Sequence, residues 1–173
     1  FCLSRGLGDV YKRQIELLDS VGIPEPAIAV DKYPHQCSGG QRQRMLIAMA
    51  LSCDPDLLIA DEPTTALDVT VQAQVLGLIR AEQRRRGMGL ILITHNLGVA
   101  KGMCADLAVM YAGRLVETGP AQRIFARPRH PYTRGLLAAL PRLDSDRSKP
   151  LVAIPGLPPR RIDPGPGCPF APR

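Results

Sequence analysis

Two short apolar runs, Leu57-Leu58-Ile59-Ala60 and Leu90-Ile91-Leu92-Ile93-Thr94, constrain this chain more than anything else in it. Continuous runs of this length are what strands covered on both faces of a sheet require, and they fall far short of the ~20 residues needed to cross a bilayer. Between them Val71, Val75, Leu78 and Ile79 recur at i, i+4, i+7 and i+8, the apolar stripe of a helix lying on that sheet. Strand, helix and strand in this order make a βαβ unit. From Ile15 onward, strand-like and helix-like blocks alternate, which predicts an α/β fold with a mostly parallel sheet and helices on both faces.

Farther along, Leu107 to Tyr111, the turn Ala112-Gly113, and Arg114 to Glu117 predict an antiparallel hairpin at the sheet's edge. Helices are expected over 120–126 and 132–140, parted by Pro128 and Pro131. Residues 141–173 hold nine of the chain's 17 prolines and little periodicity, so an extended tail or a small docked extension is expected there. The first 14 residues have no clear period and no part in the motifs below, and are read as a leader foreign to the fold.

Composition narrows the function classes. A length of 173 residues suits one ordinary domain with an appendage. Five scattered cysteines, Cys2, Cys37, Cys53, Cys104 and Cys168, include no C-x-x-C pair, so neither a disulfide framework nor a zinc site is read from them. The net charge of +6 raises the question of nucleic acid. Its densest basic run, Arg84-Arg85-Arg86, falls instead at a helix end before Gly87, where cations favour the negative end of the helix dipole. With only 4% aromatic residues, no base-stacking platform is expected.

The chemistry concentrates in three blocks. Leu57 to Ala60 leads into Asp61-Glu62-Pro63-Thr64-Thr65-Ala66-Leu67-Asp68, so a buried strand delivers two adjacent carboxylates at its carboxyl end, the edge where open α/β sheets bind ligands. One acid is placed to hold Mg²⁺ and the next to orient or deprotonate a water, the division of labour that phosphoryl transfer needs. In Cys37-Ser38-Gly39-Gly40-Gln41, Ser38 is a good N-cap and the glycines let backbone N–H groups approach a phosphate. His95 ends the second strand, where parallel pairing carries it beside Glu62.

Together and in this order the three blocks resemble the ABC ATPase family of P-loop NTPases. Cys37 to Gln41 looks like its signature motif, with Cys37 where leucine is usual and expected to be a small buried hydrophobe. Leu57 to Asp61 looks like the Walker B strand, Glu62 like the catalytic glutamate, Ala66-Leu67-Asp68 like the D-loop and His95 like the switch histidine. The resemblance implies ATP and Mg²⁺, with Asp61 on the metal. It also implies a second ATPase subunit whose nucleotide Ser38, Gly39, Gly40 and Gln41 would contact in trans. A narrower resemblance covers the end: the block His130 to Leu137, residues 166–170 and Tyr33-Pro34-His35 look like the oligopeptide/dipeptide branch of ABC importers.

That branch implies transmembrane permease subunits, a substrate-binding protein reached through them, and a peripheral place on the cytoplasmic side of a bacterial or archaeal inner membrane. Carboxyl-terminal cysteines of the branch can bind an iron–sulfur cluster; Cys168 alone is too few for about four ligands, so a cluster is considered only for a longer parent protein. No G-x-x-x-x-G-K-[ST] occurs in the 173 residues, and the resemblance places that loop upstream. The expectation is a fragment, with residues 15–127 the carboxyl-terminal half of an ATPase domain and 128–173 the importer-type extension. Two other readings stay open: a non-transport ABC ATPase, and an inactive piece acting only as an interaction module.

Overall fold

The computed structural model describes residues 7–140, 153–157 and 167–173. It divides into two compact units, Phe1–His95 and Asn96–Arg173, a division that lies inside the stretch 15–127 grouped together above. In the first unit, α1 (Leu7–Ser20), the single-turn α2 (Pro26–Ala29) and α3 (Gly39–Leu51) precede β1 (Leu57–Asp61), α4 (Val69–Arg86) and β2 (Gly89–Ile93). Helix α1 begins at Leu7, so residues 7–14 are helical in this structure. Arg13 donates to the carboxylate of Asp54 at 3.3 Å and Tyr11 to the Ala27 carbonyl at 3.4 Å. The remainder of the expected leader, residues 1–6, lies outside the described residues.

Helix α1 packs on α2 and α3, and α3 on α4. The core of this unit is formed by Leu17, Val21 and Ile23, by Ile47, Ala48 and Leu51 from α3, and by Val75 and Ile79 from α4. Gly87 ends α4 in the left-handed region at φ 65°, a conformation that suits glycine, directly after the three arginines. Two of those arginines close on the buried Glu82: Arg85 Nε at 3.0 Å and Arg86 Nε at 2.9 Å. Arg86 also donates to Asp54, so α4 is tied to the loop before β1.

Strands β1 and β2 pair in parallel, Leu57 opposite Gly89 through Asp61 opposite Ile93. The apolar runs suggested cover on both faces, but burial in β1 alternates: Leu58 and Ala60 are buried, whereas Leu57 and Ile59 are exposed. On β2, Ile91 and Ile93 share that open face by register. A continuous apolar run fixes that both faces suit an apolar neighbour; it does not supply the neighbour.

The second unit holds α5 (Leu97–Met103), β3 (Asp106–Tyr111), β4 (Arg114–Pro120), α6 (Ala121–Ala126) and α7 (Pro131–Ala138). The hairpin forms where expected, with Ala112 (φ 47°) and Gly113 (φ 76°) both left-handed, as a two-residue primed turn requires. It forms a two-stranded sheet of its own. Helix α6 packs back on β3 and β4.

Segments 153–157 and 167–173, the described parts of the proline-rich end, are docked. Phe170 stands edge-on to Tyr111 at 5.3 Å between ring centroids and lies 5.5 Å from Tyr132. Arg173 donates to the carbonyls of Ile154, Pro155 and Gly156 and to the Tyr111 hydroxyl. The rest of the expected tail, residues 141–152 and 158–166, lies outside the described residues.

Candidate active site

The parallel register decides the site. Because Asp61 pairs with Ile93, the first residues beyond the two strand ends come together, and the Glu62 backbone N–H donates to the Ile93 carbonyl at 3.0 Å. Glu62 turns out of the strand at φ 45°, a left-handed conformation that a side chain disfavours by about 1–2 kcal/mol and that is typically retained at functional sites. The turn aims its carboxylate at His95. Glu62 Oε1 accepts from the His95 backbone N–H at 2.9 Å and lies 2.6 Å from its Nδ1. Glu62 Oε2 accepts from the Thr65 hydroxyl at 3.1 Å.

The imidazole is 82% exposed and the Glu62 side chain 33%, so this pair faces out of the fold. The His95 imidazole holds the Glu62 carboxyl below the ordinary carboxylate range; partial desolvation opposes it, while the His95 N–H and the Thr65 hydroxyl add to it. Glu62 is thus kept in its ionised, hydrogen-bond-accepting form. With Nδ1–H directed at the carboxylate, Nε2 is the ring atom left for an outside group. Asp61, the last residue of β1, is exposed at the same strand end. One such carboxylate is what Mg²⁺ takes from a protein when phosphate oxygens and water complete its shell, so the residue fits that role. Among the described residues no group of three or more His, Cys, Asp or Glu forms a closed metal site.

A second cluster is built on the start of α3. Ser38 Oγ accepts from the Gln41 N–H at 3.2 Å, and Gln41 Oε1 accepts in return from the Ser38 N–H at 2.9 Å, a capping box that fixes the turn. The Gln41 carbonyl is thereby engaged within the turn, leaving its amide NH₂. A methyl group on Gly40 would meet Val71 Cγ1 at 2.7 Å, and one on Gly39 would meet Leu67 Cδ2 at 3.6 Å. Gly40 is therefore needed for the close approach of α3 to α4. Asp68 caps α4 by accepting from Val71 N–H at 2.9 Å, and Ala66 before it is left-handed at φ 63°. Ser38-Gly39-Gly40 and Leu67-Asp68 thus share one edge. Among the described residues no hydrogen bond joins the Ser38 turn to Glu62 or His95.

Cys37 is buried and its thiol lies 3.7 Å from the Tyr33 carbonyl, a small packed side chain as expected. Cys168 is exposed, with Sγ 3.3 Å from His130 Nε2. This pair does not fit an iron–sulfur cluster, which takes about four thiolates. Two hydrogen-bonded groups, one in the site and one in the second unit, were not foreseen. Thr65 has only a weak signal in the sequence, a hydroxyl three residues after an acid in a turn. Glu117, 8% exposed, accepts from the N–H groups of Arg129 and His130, each at 3.0 Å, and holds the start of α7.

Residues 9–65 match the family described as ABC transporter, and residues 116–173 the family described as oligopeptide/dipeptide transporter, C-terminal region. The dipeptide transport ATP-binding protein DppD of Bacillus subtilis is 54% identical over 162 residues, 94% of this chain and 48% of that protein. Among solved structures, cbiO1 of Clostridium perfringens, part of the ABC transporter complex cbiONQ, is 30% identical with a TM-score of 0.63, over 73% of this chain and 49% of that one. A dimeric ATP-binding cassette in a post-hydrolysis state, bound to ADP and Pi, is 26% identical with a TM-score of 0.60, over 70% of this chain and 51% of that one. The chain spans about half the length of the curated relatives it matches.

Proposed function

Because this chain belongs to the ABC transporter ATPase family and ends in the oligopeptide/dipeptide transporter region, we propose that it serves in ATP hydrolysis that energises peptide import. The observation that supports this best is the Glu62 carboxylate 2.6 Å from the nitrogen of an exposed imidazole at the carboxyl end of a parallel pair. In this reading Glu62 is the general base. It takes a proton from water aligned with the terminal phosphate, while His95, as an imidazolium whose Nδ1–H faces Glu62, donates its Nε2–H to the charge developing on that phosphate.

Asp61 would hold Mg²⁺, which when bound supplies charge neutralisation between the phosphates. The Ser38, Gly39, Gly40 and Gln41 turn would present its N–H groups to a nucleotide held by a second ATPase subunit, and Ala66-Leu67-Asp68 would lie along that subunit boundary. Transmembrane permease subunits, fed by a substrate-binding protein, would be driven by closure of the ATPase pair. No described helix is long and apolar enough to cross a membrane, in keeping with a peripheral subunit at the cytoplasmic face.

The test is a full-length subunit carrying this sequence with its phosphate-binding loop. Glu62→Gln is expected to stop ATP turnover yet permit ATP-dependent dimer closure, read by light scattering or crosslinking. Turnover at the unsubstituted rate would remove Glu62 from the role of base.

A further inference from the structure

We propose that Thr65 is a positioning residue for Glu62, its hydroxyl selecting which lone pair of the carboxylate is left to meet a water. The inference rests on the reading of Glu62 as a base. An ionised carboxylate offers about four acceptor sites, two on each oxygen. The His95 N–H and Nδ1 both fall on Oε1, and the Thr65 hydroxyl falls on Oε2 at 3.1 Å. Three sites are filled from within the chain, and one remains on Oε2.

Without Thr65 the carboxylate is held through a single oxygen. The last torsion of a glutamate is broad, so such a group can turn and present its free lone pairs over a wide arc. With both oxygens tied, the torsion is set. The loop is built to deliver the hydroxyl. Glu62 N–H is anchored on Ile93, the Thr65 N–H donates to the Glu62 carbonyl at 3.2 Å, and Pro63 between them is buried. Thr65 itself is exposed, so its role is not one of filling the core.

One measurement with a conservative rescue tests this. In the full-length subunit, Thr65→Val, which keeps the shape and removes the donor, is expected to lower kcat about 10-fold with the nucleotide KM unchanged, and Thr65→Ser to restore most of the loss.

Unchanged turnover in Thr65→Val, in a protein whose Glu62→Gln variant is dead, would overturn the positioning role alone. Equal losses in Thr65→Val and Thr65→Ser would do the same, since the hydroxyl would not be what matters. Full turnover in Glu62→Gln would instead overturn the base assignment, and the role of Thr65 with it.

Discussion

Glu62 in the first unit and Glu117 in the second are both glutamates clasped by hydrogen-bond donors, and the way they differ separates a reactive group from a structural one. Glu117 sits within β4, almost fully buried, and its carboxylate is closed by two main-chain N–H groups. Burial pushes its carboxyl up, but the Arg129 and His130 donors outweigh that and hold it below the ordinary range. Glu62 sits just past a strand end, one-third exposed, on a left-handed backbone, and the largest influence on it is an imidazole that itself faces outward. Both are kept ionised. Only the Glu62 side chain is substantially open to solvent.

The comparison breaks most sharply at Glu62→Gln. In the full-length subunit, loss of a general base should lower turnover by about 10²–10⁴-fold, measured by phosphate release, with little change in thermal stability because the site is exposed. His95→Ala should follow, on the order of 10²-fold slower by the same assay, since one electrostatic donor is removed.

Glu117→Ala should show the opposite profile. It leaves the Arg129 and His130 N–H groups without their acceptor and should destabilise the second unit by about 1–3 kcal/mol in denaturant unfolding. The smallest effect is on pH. The folded pKa of Glu117 is depressed, so its contribution is fully present above the unfolded value and is lost as pH falls through the lower folded one. Acid unfolding of the second unit should lose part of its steepness in Glu117→Gln. An unaltered acid transition would mean that this carboxylate is not ionised in the native state.

Much of this was legible in the residues. The apolar runs gave β1 and β2, the Val71 to Ile79 stripe gave α4, Ala112-Gly113 gave the hairpin turn, and the three arginines before Gly87 gave a helix end. Glu62 and His95 could be placed together because parallel pairing of two runs ended by polar residues leaves little choice of register. What was not legible depends on partners distant in sequence. Burial of only one face of β1 and the pairing of β3 with β4 as a sheet of their own follow from which surfaces find neighbours. The Thr65 and Glu117 bonds depend on loop paths that pattern and propensity do not encode.

The left-handed turn at Glu62 sets two demands against each other at one position. Conformational preference there favours a residue without Cβ, whereas the proposed reaction asks for a long acidic one. Among variants that have already lost the carboxylate, Glu62→Gly should therefore fold more stably than Glu62→Ala, by about 1 kcal/mol. Selection for thermostability alone would drift toward inactivity at this residue, and a screen that rewards only soluble, heat-resistant protein would discard the very group it meant to preserve.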